Sequence, residues 1–262
     1  MKIFFPSNWM SRIVPFINTD NNFILVGSIS QMGALTGSED FSKIILYNWD
    51  HYDFIDMANR PDWVRFHHFC KKAKEVWIPT HAHASYFQRD IGVNPYVLNL
   101  ACVLPEEWEG ENQDGGYVLM SSRKDFYKRF DLFKEACESI HISFKTTHPE
   151  DTSREEYIKI MKNCRFYVQA SIDESLGGLS LMEAVWNKKP VLMSDSIKGG
   201  QEIYGDSIEY FKSDSLLSFQ DKLYKLWLNQ SEQPNAFNKI KNQTPEGVAK
   251  LINQRICHLK SI

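Results

Sequence analysis

No apolar run in this chain approaches the ~20 residues that span a bilayer, so the sequence predicts no membrane-crossing helix. The opening Met1-Lys2-Ile3-Phe4-Phe5-Pro6 is too short an apolar stretch for a secretory leader. Excess positive charge is missing too. The chain has 30 Lys and Arg against 33 Asp and Glu, a formal net charge of -3, which removes the field that duplex-binding proteins use to neutralise phosphates. Nor is there a disulfide pattern, since five cysteines at 70, 102, 137, 164 and 257 are an odd number, widely spaced, in a chain large enough to fold without staples. These absences predict reduced thiols and a cytoplasmic location. What is present is ordinary core material: 43% hydrophobic residues over 262 positions, enough for one large or two small domains.

Short apolar runs at 2–6, 23–27, 43–47, 76–79 and 96–100 read as strands, with helical spacing between the later ones at 62–73 and 83–91. Strands alternating with helices imply a parallel sheet covered on both faces. The stretch 105–116 is acidic, rich in turn formers and without periodicity, and reads as a linker. A second alternation follows, with strands at 117–121, 142–145, 166–169 and 190–194 and helices at 128–139, 153–163, 179–187, near 201 and at 216–228. Thr152 and Glu155 have capping-box spacing, and Thr244-Pro245-Glu246 opens a last helix. The expected domains are therefore 1–110 and 111–262, with the last helix free to pack back on the first domain.

In such sheets ligands sit outside the carboxyl ends of the strands. Three loops of the second half carry suggestive groups there. Arg123 and Lys128 follow the strand at 117–121, spaced to present two cations to one anion. A diphosphate suits them, because charge-assisted bonds to phosphate contribute about 1.5–3 kcal/mol each. The next loop runs Asp173-Glu174-Ser175-Leu176-Gly177-Gly178 into Leu179 and the helix containing Glu183. Glycines before a helix start let backbone N–H groups approach a phosphate. Glu183 can accept ribose hydroxyls and Glu174 those of a sugar. The third loop, Ser194-Asp195-Ser196-Ile197-Lys198-Gly199-Gly200, is placed to close the cleft. Each loop taken alone also reads as a plain polar turn.

The stretch 167–202 resembles the donor-binding segment of retaining GT-B glycosyltransferases with the E-x7-E motif. The likeness lies in Glu174, in Gly178-Leu179-Ser180-Leu181-Met182-Glu183-Ala184, in Lys189-Pro190-Val191-Leu192-Met193-Ser194-Asp195, and in Gly199-Gly200 before Glu202. Arg123 and Lys128 fall where that family places the cations for the donor diphosphate, and 73–100 resembles the end of the family's first domain. The resemblance implies a GT-B-like α/β architecture of two facing Rossmann-like, doubly wound domains, here with a reduced N-terminal one. It also implies a nucleoside diphosphate-sugar donor on the second domain, bound by Arg123, Lys128, Ser175, Leu176, Gly177, Gly178, Leu179 and Glu183, with Glu174 catalytic and no cofactor. Two departures stand out. Eight residues separate Glu174 from Glu183, so counting seven back from Glu183 selects Ser175, while the loop position favours Glu174. The first half, about 110 residues, is short and lacks the usual glycine-rich loop after its first strand.

No Asp-x-Asp occurs in the chain. That argues against the metal-chelating carboxylates of the other major glycosyltransferase architecture and predicts catalysis without a divalent ion. His67, His68, Cys70, His81 and His83 lack the spacing of a zinc site. Trp49-Asp50-His51-Tyr52-Asp53 follows a strand and is the first domain's best candidate contribution. His51 is placed there to meet the donor sugar or acceptor, and Asp50 or Asp53 to act as a base if the reaction inverts. The expected activity is transfer of a sugar from a nucleoside diphosphate to an acceptor of undetermined class, with retention. The rivals are a sugar-nucleotide epimerase or hydrolase and a non-catalytic nucleotide-sugar-binding subunit. The shortened first domain leaves room for a homo-oligomer or a partner protein.

Overall fold

The computed structural model describes residues 2–4, 11–18, 20, 22–27, 35, 39–49, 61–229 and 233–261. The chain divides into two compact units. Unit 1 is Met1–Cys102 with Asn242–Ile262, and unit 2 is Val103–Lys241. Among the described residues no helix is long and apolar enough to cross a membrane.

Unit 1 holds β1 (Lys2–Phe4), β2 (Ile24–Val26), β3 (Ile44–Tyr47), α1 (Pro61–Lys72), β4 (Glu75–Ile78), α2 (His81–Tyr86) and β5 (Tyr96–Val97). All neighbouring strands pair in parallel, in the order β1-β2-β3-β4-β5. Alternate residues of a strand face opposite sides, and the core divides accordingly. Val26, Ile44, Leu46, Val76 and Ile78 pack with Phe66 and Phe69 of α1 and with Phe87 and Ile91 after α2. Leu25, Ile45, Tyr47 and Trp77 point the other way.

Unit 2 holds β6 (Val118–Ser121), α3 (Phe130–Ser139), β7 (Phe144–Thr147), α4 (Arg154–Asn163), β8 (Phe166–Gln169), α5 (Leu179–Trp186), β9 (Val191–Ser194), α6 (Lys198–Tyr204), β10 (Glu209–Phe211), α7 (Leu216–Leu228) and α8 (Pro234–Ile240). Its parallel order is β10-β9-β8-β6-β7. One face packs Val118, Met120, Phe166 and Val168 against Phe133 of α3 and Phe219 and Leu223 of α7. The other face carries α5, which lies on β8 and β9.

The final helix, α9 (Pro245–Lys260), belongs to unit 1. Its Val248, Ala249, Ile252, Ile256 and Leu259 cover the second face of that sheet, against Leu25, Ile45, Tyr47 and Trp77. An ion pair between Arg255 and Glu75 (Nε to Oε2 2.9 Å) ties the helix to β4, and the Arg255 guanidinium lies 3.8 Å from the Tyr96 ring centroid. Thr244 caps α9 by accepting from Gly247 N at 3.2 Å, and Thr80 caps α2 through His83 N.

Local details depart from the sequence reading. The cap of α4 is Ser153, which accepts from Glu156 N at 3.2 Å, one residue beyond Thr152. The helix expected from 128 begins at 130, because Arg129 adopts a left-handed conformation (φ 61°) after a 3-10 turn at Phe126–Lys128. The acidic stretch before β6 is packed along unit 2. Trp108 is buried, Gln113 N and Gly115 N donate to the carbonyls of Lys162 and Asn163 at 3.1 and 2.7 Å, and the Asn112 amide donates to Asn187 O at 2.7 Å.

Candidate functional site at the strand-order reversal of unit 2

In chain order the unit 2 sheet steps outward from β6 to β7, then returns to the far side of β6 for β8, β9 and β10. Where a parallel sheet reverses its strand order, the two neighbouring connections leave on opposite faces and open a crevice at the carboxyl ends. The reversal lies between β6 and β8. The loops that flank it are 122–129 and 170–178, which contain Arg123, Lys128, Glu174, Gly177 and Gly178.

The first loop is held by internal bonds. Arg123 donates to the Tyr127 hydroxyl at 2.8 Å and pairs with Asp125 at 3.2 Å, with its side chain 57% exposed. Lys128 is the opposite case. Its side chain is only 5% exposed, ion-paired with Glu174, and its ammonium lies 4.5 Å from the Tyr127 ring centroid. The Tyr127 carbonyl accepts from Ile172 N at 2.8 Å, which joins the two flanking loops. Arg129 anchors the end of the first by donating to Ser213 O at 2.6 Å. Lys124 pairs with Asp151 of the β7–α4 loop.

The second loop turns into α5 through two residues that must be glycine. Gly177 and Gly178 have φ of 84° and 88°, a region side chains rarely enter. A Cβ on Gly178 would also meet Gln169 Nε2 at 2.8 Å. Gln169, buried at the end of β8, braces this turn by donating to Gly177 O at 2.6 Å. Helix α5 starts with no side-chain cap and no acidic residue in its first turn, so its orphan N–H groups and dipole favour an anion there. Ser175, Leu176 and Gly177 are buried, whereas Glu174, Gly178 and Leu179 are half-buried. The Ser171 hydroxyl lies 3.5 Å from Glu174 Oε1. From β9, the Ser196 hydroxyl reaches Ser171 O at 3.4 Å and Ser194 Oγ at 2.7 Å, so the third loop leans on the second.

Glu183 sits further along α5, 2% exposed, with both carboxylate oxygens engaged. Oε1 accepts from Arg154 Nη2 at 2.6 Å and Oε2 from the Tyr157 hydroxyl at 2.7 Å. Arg154 also binds Glu107 and lies 5.3 Å from the ring centroids of both Trp108 and Tyr157. Burial pushes the Glu183 carboxyl above its usual value, opposed by the pull of Arg154 and Tyr157. Burial works against the charge of Arg154, but Glu183 and Glu107 together hold its pKa above the ordinary arginine value. Burial and the Glu183 charge raise Tyr157, which stays a donor. With its side chain 36% exposed against 3% for Glu183, Arg154 is the member of this pair that solvent reaches.

Sequence reasoning did not anticipate Gln169, Tyr127, Arg154, Tyr157 or Glu107. Asp50, His51 and Asp53 lie outside the described residues. Trp49, just before them, packs on the α9 side of the unit 1 core. His83 is buried beside Phe87, with ring centroids 5.6 Å apart. Among the described residues no three His, Cys, Asp or Glu side chains gather as a metal-ligand set. A groove of about 680 Å³ runs beside α9 in unit 1, lined by Phe16, Glu246, Lys250, Asn253, Gln254 and Cys257. It contains none of the candidate residues.

Among the described residues the chain forms two parallel five-stranded α/β units, and its likeness to solved structures makes the fold GT-B. TarM superposes with a TM-score of 0.68 at 17% identity, over 94% of this chain and 57% of TarM. Anabaena Alr3699/HepE in complex with UDP and glucose gives 0.67 at 13%, over 91% and 77%. Sucrose-phosphate synthase from Thermosynechococcus elongatus gives 0.72 at 12%, over 91% and 74%. The chain thus spans little more than half the length of TarM. No family model and no curated protein matches it.

Proposed function

We propose that this chain is a glycosyltransferase that takes its sugar from a nucleoside diphosphate donor bound at the strand-order reversal of unit 2. The observation that carries the reading is the Lys128–Glu174 pair, which joins the two loops flanking the reversal beside the uncapped start of α5, with Arg123 on the first of those loops. The demanding step in sugar transfer is departure of the diphosphate. Arg123, Lys128 and the N–H groups from Gly178 onward stabilise its growing charge. Glu174 takes the sugar hydroxyls. HepE, which shares the fold, was solved in complex with UDP and glucose, and this supports a uridine donor. The lack of an Asp-x-Asp motif supports transfer without a divalent ion, and the likeness to the E-x7-E segment supports retention. Glu183 reaches the donor ribose only if Arg154 gives up its bond, so Arg154 is the first group of that cluster a ribose meets.

A second reading, a nucleotide-sugar-binding subunit without turnover, has one observation in its favour. Among the described residues the unit 1 sheet runs β1 to β5 without reversal, so the strand order seen there builds no crevice to match that of unit 2. Incubation with radiolabelled UDP-, GDP- and ADP-sugars and a panel of glycan, lipid and peptide acceptors separates the readings. Transferred label that disappears in Arg123→Ala supports the transferase. Saturable binding with no transfer and no hydrolysis supports the subunit.

A further inference from the structure

We infer that Glu174 is an internal competitor for the phosphate at Lys128, and that this competition lets the site distinguish a nucleotide sugar from the bare nucleoside diphosphate left after transfer. The inference rests on the donor site proposed above. Lys128 and Glu174 come from the two different loops that flank the reversal, and their side chains are 5% and 13% exposed. The carboxylate also lies against the start of α5, since a Cβ on Gly178 would stand 3.9 Å from Glu174 Cδ. It therefore occupies one attraction an incoming phosphate would use, a desolvated ammonium, and lies beside a second, the start of α5. The protein's own anion stands where a phosphate on Lys128 would.

A diphosphate that reaches Lys128 must displace this carboxylate. The displaced Glu174 keeps Ser171 in reach, with its hydroxyl 3.5 Å away, but loses its cation, and a largely buried anion without its charge partner is costly. The hydroxyls of a donor sugar supply hydrogen-bond donors in its place, whereas a bare nucleoside diphosphate carries its hydroxyls on the ribose, on the other side of the phosphates, and brings none of the sugar's to this carboxylate. Binding of the complete donor satisfies both ends of the exchange. Once the sugar has left with the acceptor, Glu174 returns to Lys128 and weakens the hold on the product. Specificity of this kind is a difference between two affinities, set by a repulsive element as much as by an attractive one.

Calorimetric titration of the full chain with inorganic pyrophosphate, UDP and UDP-glucose tests this in the wild type, in Glu174→Gln and in Glu174→Asp. Glu174→Gln keeps the shape and a hydrogen-bond acceptor for Lys128 but removes the competing charge. It is expected to bind pyrophosphate and UDP about tenfold tighter than the wild type, with the preference for UDP-glucose over UDP reduced by a similar factor. Glu174→Asp keeps the charge on a shorter arm and is expected to fall between the two. If Glu174→Gln does not fold by circular dichroism, the Asp variant carries the test, with tighter pyrophosphate binding as the required result. Pyrophosphate and UDP affinities unchanged or weakened in the folded variants overturn the competitor. Pyrophosphate binding that tightens while neither UDP nor UDP-glucose binds any variant upholds the competitor and removes the uridine donor. Absence of binding by all three probes removes both.

Discussion

Among the described residues the two units of this chain are built from the same parts, five parallel strands each, yet only the second reverses its strand order. In unit 1 the strands follow one another across the sheet from β1 to β5, and α1 and α2 pack on a single face. The opposite face is left for α9, which arrives from the other end of the chain. In unit 2 the step back across β6 parts two neighbouring loops, and the cations, the carboxylate and the glycine turn all lie on those loops. Strand order, rather than strand composition, decides which sheet edge is free for chemistry.

Four substitutions sharpen that contrast, beginning with the largest expected effect. Ile252→Ala, at a fully buried position of α9, is expected to cost about 3.5 kcal/mol in urea unfolding while leaving the nucleotide-sugar thermal shift of the folded protein intact. A lost thermal shift at temperatures where the variant is still folded would show that the two units do not divide the work this way. Arg123→Ala carries the reverse signature. Turnover is expected to fall about a hundredfold, or about 2.7 kcal/mol in the barrier, with the urea midpoint within error of the wild type because the side chain is 57% exposed.

Arg154→Ala leaves the buried Glu183 carboxylate with Tyr157 alone. We expect a loss of about 2 kcal/mol, below the range for a fully buried pair because the guanidinium is partly solvated. The pH dependence has a definite sign. The folded pKa of Glu183 is already raised above 4.5, so protonation favours the folded state. The deficit should be full at neutral pH and shrink as pH falls through the raised value toward 4.5. Equal deficits at pH 7 and pH 4.5 would contradict this. The smallest effect belongs to Gln169→Ala. Loss of the brace on Gly177 O is expected to cost about 1 kcal/mol of stability and to raise the KM for donor more than it lowers kcat.

Much of this was legible in the chain itself, and the exceptions share a cause. Strands β6, β8 and β9 announce themselves as short apolar runs, and Thr244-Pro245-Glu246 marks the start of α9, because these signals are local. The loops bearing Arg123, Lys128, Glu174 and Gly177-Gly178 were legible because a strand followed by turn formers and a helix places them at one sheet edge. Strand β10 escaped notice, since Glu209-Tyr210-Phe211 pairs only with β9 at the sheet margin and is half-buried at two of three positions. The resemblance implied a doubly wound order in both units; among the described residues unit 2 has it, while β1 to β5 of unit 1 follow in chain order. A parallel alternation reads the same whether the order reverses or not, so the difference between the units came only with the structure. Likewise Arg154 meets Glu183 across 29 residues and Lys128 meets Glu174 across two loops, and no spacing rule links them.

Everything proposed for this chain depends on the nucleotide sugar lying on the reversal of unit 2. Hydrogen exchange of the full chain, with and without whichever UDP-, GDP- or ADP-sugar stabilises it most, tests this directly. Slowed exchange is predicted in 122–129 and 170–180, with the exchange of α9 unchanged. Protection confined to unit 1, or no protection with any of the three, would contradict it.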